Sequence, residues 1–224
     1  MPTIKQYLAP YEISYGSNSP SWIVVHYTAT SASAYNNAVY FSRGGNWDSS
    51  AHYFLDGGGT IYQSVPDWRG AWHAGNYDCN THSIGIEVVS DGRDFTSSEI
   101  SELGWLVQGL MHKYGIPASK VIRHHDVADH FGGYTVDPYK SCPAPYINES
   151  KWAALKKQIT EGNMLTKEDA NTIWAFDNWG DQVGACSGTA WRNLMDTNRR
   201  IQTVEKDVKS LNEKLDKIVK KLGA

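Results

Sequence analysis

Residues 21–29 read SWIVVHYTA, and they decide the fold. The run from Trp22 to Tyr27 is continuous, β-branched and aromatic, interrupted only by His26 near its C-terminal end, which is the pattern of a strand buried on both faces. Outward from it, strand-like and helix-like runs alternate at short spacing through residues 1–160, as in a compact α/β domain. AHYFLDGGGTIYQSV (51–65) holds two strand-like runs around Asp56-Gly57-Gly58-Gly59, a turn signal that predicts a hairpin. In SIGIEVVS (83–90), Ile84, Ile86 and Val88 alternate with Gly85, Glu87 and Val89, so Glu87 points away from the isoleucine face. Thr96 and Glu99 make a capping-box signature ahead of Leu103, Leu106, Val107, Leu110 and Met111, which repeat at helical spacing until Gly115 and Pro117 end the helix. A further helix near NESKWAALKKQI (148–159) closes the domain.

With 41% hydrophobic and 20% charged residues, a chain of 224 residues can bury a full core, and its length allows one domain with a small appendage. A net charge of -3 argues against a broad nucleic-acid surface. The opening MPTIKQYLAPYEIS has no uninterrupted apolar run of the length a secretory signal needs, and no run anywhere approaches the ~20 residues of a membrane span. Synthesis in the cytoplasm, without a signal peptide or transmembrane segment, is therefore expected. Cys79, Cys142 and Cys186 are odd in number and widely spread, which fits a reducing compartment better than a disulfide framework. Nine Trp and thirteen Tyr are many for this length, and since both carry a polar end that core packing wastes, they hint at grooves for carbohydrate or peptide.

Past residue 160 the character changes. LTKEDANTIWAFDN suggests a capped helix starting at Thr166, within a stretch of short helices over 165–198. Ile201, Val204, Val208, Leu211, Leu215, Ile218 and Leu222 then alternate in steps of three and four, an a/d seam of about three heptads over 199–222. A single amphipathic helix docked on its own domain, or lying on an anionic surface, competes with this reading, because residues 199–222 carry eight Lys or Arg against four Asp or Glu. So narrow a stripe suits a helix partner better, and the expectation is a homo-oligomer formed through a coiled coil.

A histidine ending a buried strand is by itself most often a hydrogen-bonded core residue. VIRHHDVADHFGGYTVDPYKSCPAP (121–145) supplies what could raise His26 above that, with His124, His125, Lys140 and Cys142 in one segment. Two neutral imidazoles and a thiolate make a good set of ligands for Zn2+, and three protein ligands leave the fourth tetrahedral position open for water, as catalytic sites do. The spacing matches no local zinc-finger pattern, and between His124 and His125 the spacing does not choose.

WIVVHYTAT, SSAHYFLDGGGTIYQSVPD, AWHAGN, HSIGIEVVS, RHHDV and KSCPAP stand in the order and context of the zinc-dependent N-acetylmuramoyl-L-alanine amidases, and over residues 20–155 the chain resembles this type-2 amidase family, which includes phage endolysins and is related to peptidoglycan recognition proteins. The resemblance implies a central mixed β-sheet flanked by helices, one zinc ion in a groove, and cleavage of the amide between N-acetylmuramic acid and L-alanine in bacterial peptidoglycan. It implies His26, His124 and Cys142 as zinc ligands. His125 is the rival of His124, and neighbouring side chains on an extended segment point opposite ways, which excludes joint ligation. It further implies Glu87 as general base and later proton donor, Lys140 as partner of the oxyanion, and a substrate-positioning role for His73. Some relatives use a tyrosine just before the HY strand, where this chain has Ala51, so more rests on Glu87. The interval from His124 to Cys142 is longer than in compact endolysins by an HFGGYTVDPY-like loop, which brings Asp137 and His130 as lesser rivals for the metal.

Three readings follow. The favoured one is a zinc amidase in a phage lysin, residues 1–160 catalytic and 161–224 serving wall targeting, oligomerisation or both, acting on the wall after release; a cytosolic muropeptide-recycling enzyme is its alternative setting. A wall-binding module of the same fold without hydrolysis typically lacks the cysteine, and Cys142 is present. A peptidase cutting within peptides has no HExxH helix in its support.

Overall fold

The structure is a computed structural model, and it describes residues 2–11, 14–44 and 48–161. Along them run β1 (Thr3–Gln6), β2 (Trp22–Tyr27), α1 (Ala34–Ser42), β3 (Tyr53–Leu55), β4 (Thr60–Gln63), α2 (Tyr77–His82), β5 (Ser83–Val88), α3 (Ser97–Tyr114), β6 (Val121–Arg123), α4 (Val127–His130) and α5 (Glu149–Glu161). The strands form one sheet in the order β1-β4-β3-β5-β2-β6. Only β3 and β4 are antiparallel, so the sheet is mixed, and these two strands are the expected hairpin, with Tyr53 opposite Gln63.

β2 is bonded to β5 on one side and β6 on the other, and Ile23, Val24 and Val25 have no exposed surface, which is what an unbroken apolar run requires. The two faces of the sheet are unequal. Ile23, Val25, Ile84, Ile86 and Val88 pack against Leu103, Leu106 and Leu110 of α3 and Trp152, Leu155 and Ile159 of α5. Each such burial contributes about 1.5–3 kcal/mol, which makes this face the main core. The other face is thinner, with Val24 and Ile122 against Ala74, Cys79 and Val127. His26 and Glu87 stand on that thinner side, by the strand alternation.

The capping box on α3 is present: the Thr96 hydroxyl accepts from the Glu99 amide and the Glu99 carboxylate from the Thr96 amide. Glu102, one turn on, reaches the hairpin loop and accepts from the amides of Gly57 (2.7 Å) and Gly59 (2.8 Å), so the longest helix fixes the β3–β4 turn. β1, α1 and α2 had no clear sequence signal; in β1, TIKQ, only Ile4 is buried, too little to make a period. The expectations for residues 162–224, including the short helices of 165–198, the heptad seam of 199–222 and the state of Cys186, lie outside the described residues. Among the described residues no helix is long and apolar enough to cross a membrane.

One buried ionic cluster ties the hairpin to α3. Asp67 is fully buried and accepts from the Tyr53 hydroxyl (2.6 Å), Gln63 Nε2 (3.2 Å), the Tyr114 hydroxyl (2.8 Å) and Lys113 Nζ (3.0 Å). Burial alone would raise the Asp67 carboxyl; the Lys113 ammonium and the Tyr53 hydroxyl outweigh it and hold the group below its ordinary value. A carboxyl depressed by folding stabilises the fold above its unfolded pKa of about 3.9, and that contribution disappears as acid takes the pH down through the folded value. Asp67→Asn removes the carboxylate charge that the Lys113 ammonium, 8% exposed, meets at 3.0 Å. It should cost about 3–5 kcal/mol in urea unfolding at neutral pH; a loss below 1 kcal/mol would show that the cluster does not hold the hairpin.

Candidate metal centre

The sheet register assembles the site. His26 on β2 pairs with Glu87 on β5, and Val25 pairs with Arg123, the last residue of β6, so His124 follows next to His26. Three neighbouring strands thus bring Glu87, His26 and His124, the last just past β6, to the same end of the sheet. The rings of His26 and His124 are 4.7 Å apart, and His26 Nδ1 lies 3.7 Å from Cys142 Sγ and 3.9 Å from Glu87 Oε1. One donor atom from each of His26, His124 and Cys142 falls within 4.8 Å of the others, and all three residues are buried.

Cys142 is distant in sequence and is brought back by Arg123, a residue to which the sequence reading gave no role. Arg123 is 3% exposed. Its guanidinium binds Asp126 (2.6 Å), the carbonyls of Tyr146 (2.9 Å) and Ile147 (3.0 Å), and Glu149 (2.6 Å), which folds the 142–149 segment against the end of β6. The signal for it was the Arg-x-x-Asp spacing of RHHD, a local pair closed over a turn. The His125 amide completes the link by donating to the Cys142 carbonyl at 2.9 Å.

The choice between the adjacent histidines falls on His124, for a reason other than the expected one. The segment is not extended: His124–Asp126 is a 3-10 turn, which turns His124 inward and leaves His125 partly exposed. The Nδ1 of His125 lies 2.9 Å from the Tyr139 carbonyl and 3.1 Å from that of Lys140, so it donates to the loop and not to the site. His130 stacks beside Trp22 at the opposite end of β2, with ring centroids 5.1 Å apart. Asp137 is exposed on the loop and acts on His124 only through its charge.

A chain of hydrogen bonds fixes which nitrogen of His26 is bare. The Cys79 carbonyl can only accept, so the Ser83 hydroxyl donates to it at 2.6 Å. The Ser83 oxygen then accepts from His73 Nε2–H (3.1 Å), which leaves His73 Nδ1 unprotonated to accept from His26 Nε2–H (3.0 Å). The Nδ1 lone pair of His26 is left facing Cys142. For His124 the ring is bonded to the Ala74 carbonyl while Nε2 is buried without any partner, so Nδ1 is the donor and Nε2 the bare acceptor. Both ring nitrogens of His73, which was expected to position substrate and does line the cleft, are engaged by Ser83 and His26. His52, in the HY motif, is structural: Nδ1 accepts from the Gly85 amide at 3.0 Å and Nε2 faces the Arg69 carbonyl at 2.9 Å.

Burial, followed by the mutual repulsion of the rings, holds His26 and His73 neutral well below their ordinary values; burial and the nearby Lys140 ammonium lower His124 to about 4. Burial raises the Cys142 thiol, and the Glu87 carboxylate adds to it. Burial also raises Glu87 to about 8, against the opposing pull of Lys140. Glu87 Oε2 is buried with no partner. Two neutral imidazoles, one facing the Cys142 thiol and the other with a partnerless Nε2, and a carboxyl oxygen without a partner are groups that a cation and its water would satisfy together. Tetrahedral ligation with bonds of about 2.0–2.3 Å implies donor separations of roughly 3.3–3.8 Å; the His26–Cys142 pair is at 3.7 Å and all three donors lie within 4.8 Å of one another. The cleft over the cluster has a volume of about 350 Å³, and Glu87, Lys140, Ala51 and Trp72 are among its walls.

Fold and site are those of an α/β protein with a three-donor metal cradle at the ends of parallel strands. The N-acetylmuramoyl-L-alanine amidase family model matches residues 16–145, more than half of the chain, and the chain belongs to that family. The N-acetylmuramoyl-L-alanine amidase CwlL of Bacillus licheniformis is 33% identical over 144 residues, 57% of this chain and 37% of that protein. CwlH of Bacillus subtilis (strain 168), another such amidase, is 32% identical over 155 residues, 67% of this chain and 57% of that one. The chain thus spans between about a third and rather over half of the length of these curated relatives. Among solved structures, a mutant endolysin from Bacillus subtilis superposes with a TM-score of 0.58 at 29% identity, covering 71% of this chain and 99% of that one. PlyL gives a TM-score of 0.60 at 27% identity, covering 73% and 99%.

Strand β5 carries Gly85 because His73 lies flat on it: a Cβ there would come within 2.6 Å of the His73 ring. Gly85→Ala should therefore push His73 off His26 and cost about 1–3 kcal/mol by overpacking, read as a lowered midpoint in thermal or urea unfolding. An unchanged midpoint would mean that the relay has room to give.

Proposed function

We propose that this protein is a peptidoglycan hydrolase that cleaves the amide between N-acetylmuramic acid and L-alanine, using one zinc ion held by His26, His124 and Cys142. The observation that carries the reading is the convergence of two imidazole acceptors with a buried thiol in the cleft of a chain belonging to the amidase family: His26 Nδ1 lies 3.7 Å from Cys142 Sγ, and His124 Nε2 has no partner. A zinc ion held by these three residues would supply Lewis acidity toward the amide carbonyl and toward the attacking water.

The remaining steps belong to side chains. Glu87, whose Oε1 lies 3.9 Å from His26 Nδ1 and whose Oε2 is unpartnered, would be held as a carboxylate by a cation beside it; in that form it takes a proton from the attacking water and returns it to the departing L-alanine amine. Lys140, exposed on the wall of the same cleft, places its ammonium where the amide oxygen becomes negative. Ser83 and His73 keep the His26 lone pair aimed at the cation. The binding-module reading is disfavoured by the presence of the thiol ligand, and the setting that suits the amidase reading is a phage lysin released onto the wall. The heptad seam of 199–222 would pair copies of the chain and raise avidity for a polymeric wall.

Digestion of purified walls by zinc-loaded protein should expose L-alanine amino groups without new reducing ends, and a chelator should stop it. Cys142→Ser should lose most of its zinc in metal analysis together with activity. Glu87→Ala should keep the zinc and lose about 10²–10⁴-fold in turnover; an active Glu87→Ala enzyme removes this residue from the mechanism and leaves the metal site standing. Ser83→Ala, by releasing the His73 tautomer, should weaken zinc affinity about 10–100-fold in a competition titration.

A further inference from the structure

A second cavity of about 460 Å³ shares one wall residue, Trp72, with the metal cleft. Its other walls include Tyr15, Tyr77, Tyr134, Val136 and Asp48. The rings are arranged in a row, Tyr15 lying 5.8 Å from Trp72 and 5.1 Å from Tyr77. Tyr77 is 63% and Tyr134 83% exposed, a large aromatic surface to leave in water.

The cavity is built by the loop that lengthens the His124–Cys142 interval, and that loop is tied down. Asn76 is 2% exposed and does two things: its Oδ1 caps α2 by accepting from the Cys79 amide (3.0 Å), and its Nδ2 donates to the Gly132 carbonyl (3.0 Å) and Thr135 Oγ1 (2.9 Å). The Val136 amide donates to the Gly75 carbonyl at 2.8 Å. Gly75 has φ +61, and a Cβ on it would come within 3.0 Å of Val136, so the contact needs a residue without one. Tyr134 is therefore presented from an anchored backbone, and a tyrosine with two side-chain torsions loses little entropy on binding.

We infer that this aromatic cavity holds the glycan of the wall polymer, as N-acetylhexosamine rings stacked on Tyr77 and Tyr134, while the metal cleft across Trp72 works on the amide. The inference rests on the amidase reading for its substrate. The faces of pyranose rings present C–H groups to an aromatic plane, and their hydroxyl and acetamido groups suit tyrosine hydroxyls at the rim. Charge separates the glycan from the peptide part of the same polymer. Among the described residues, the one charged side chain lining the cavity is Asp48, which repels the carboxylates of a stem peptide and leaves a neutral sugar unaffected, whereas the cation Lys140 lines the metal cleft. A volume of about 460 Å³ is in the range of small-ligand sites.

The test uses the full zinc-loaded chain and a peptide-free probe, a β-1,4-linked N-acetylglucosamine oligomer, in calorimetric titration. Wild type should bind it, Tyr134→Phe within about twofold of wild type, and Tyr134→Ala and Tyr77→Ala about tenfold more weakly each. Kinetics read the same site: the ratio of KM on polymeric wall to KM on a muramoyl-peptide monomer should rise about tenfold in Tyr134→Ala. If monomer and wall are hydrolysed but neither alanine variant alters oligomer binding or this ratio, the cavity assignment falls and the amidase reading stands. If nothing is hydrolysed, the amidase reading falls, and oligomer binding alone decides the cavity: loss in the alanine variants supports it, absence in wild type overturns it.

Discussion

The pairing of β2 with β5 and β6 sets the cleft more than any single side chain does. Side chains alternate between faces along a strand, so a slip of one residue would carry His26 into the α3–α5 core and bring Val25 out in its place. The apolar run of β2 prevents that slip because Ile23 and Val25 fill the main core while Val24 fills the smaller one. Stability and chemistry thus rest on one register: the same alternation that buries the isoleucines of β5 leaves Glu87 facing the cluster beside His26.

Placing three imidazoles in so dry a region has an electrostatic consequence. His26, His73 and His124 are all more than 90% buried, and burial keeps them neutral. Neutral rings can hydrogen-bond in series without repelling, which is how Ser83 and His73 define the tautomer of His26 from two residues away. Two buried polar atoms without a hydrogen-bond partner, His124 Nε2 and Glu87 Oε2, belong to residues that line this cleft. Unsatisfied polar atoms cost stability, and two beside a buried thiol are groups whose cost a ligand in the cleft would offset.

Much of this was legible in the sequence. The buried central strand, the hairpin at Asp56-Gly57-Gly58-Gly59 and the capping box at Thr96 and Glu99 each carry their own local signal, and each is present. His26, His124 and Cys142 come together as the family resemblance implied. What was hidden is what depends on long-range contact. Arg123 reads as a surface charge until the 142–149 segment folds over it, and Glu102 as one face of a helix until the hairpin loop arrives. The extended geometry assumed for His124 and His125 failed because Arg123 and Asp126 close a 3-10 turn there, and nothing local shows that Ser83 and His26 take both nitrogens of His73.

The account stands on one claim, that two imidazoles and a thiolate from three remote parts of the chain bind the same ion. X-ray absorption at the zinc edge, on protein loaded with one equivalent of zinc, tests it most directly. The account predicts one sulfur at about 2.3 Å together with two imidazole nitrogens at about 2.0–2.1 Å and a light-atom ligand completing four-coordination. A spectrum with no sulfur neighbour, or with more than one, would contradict it.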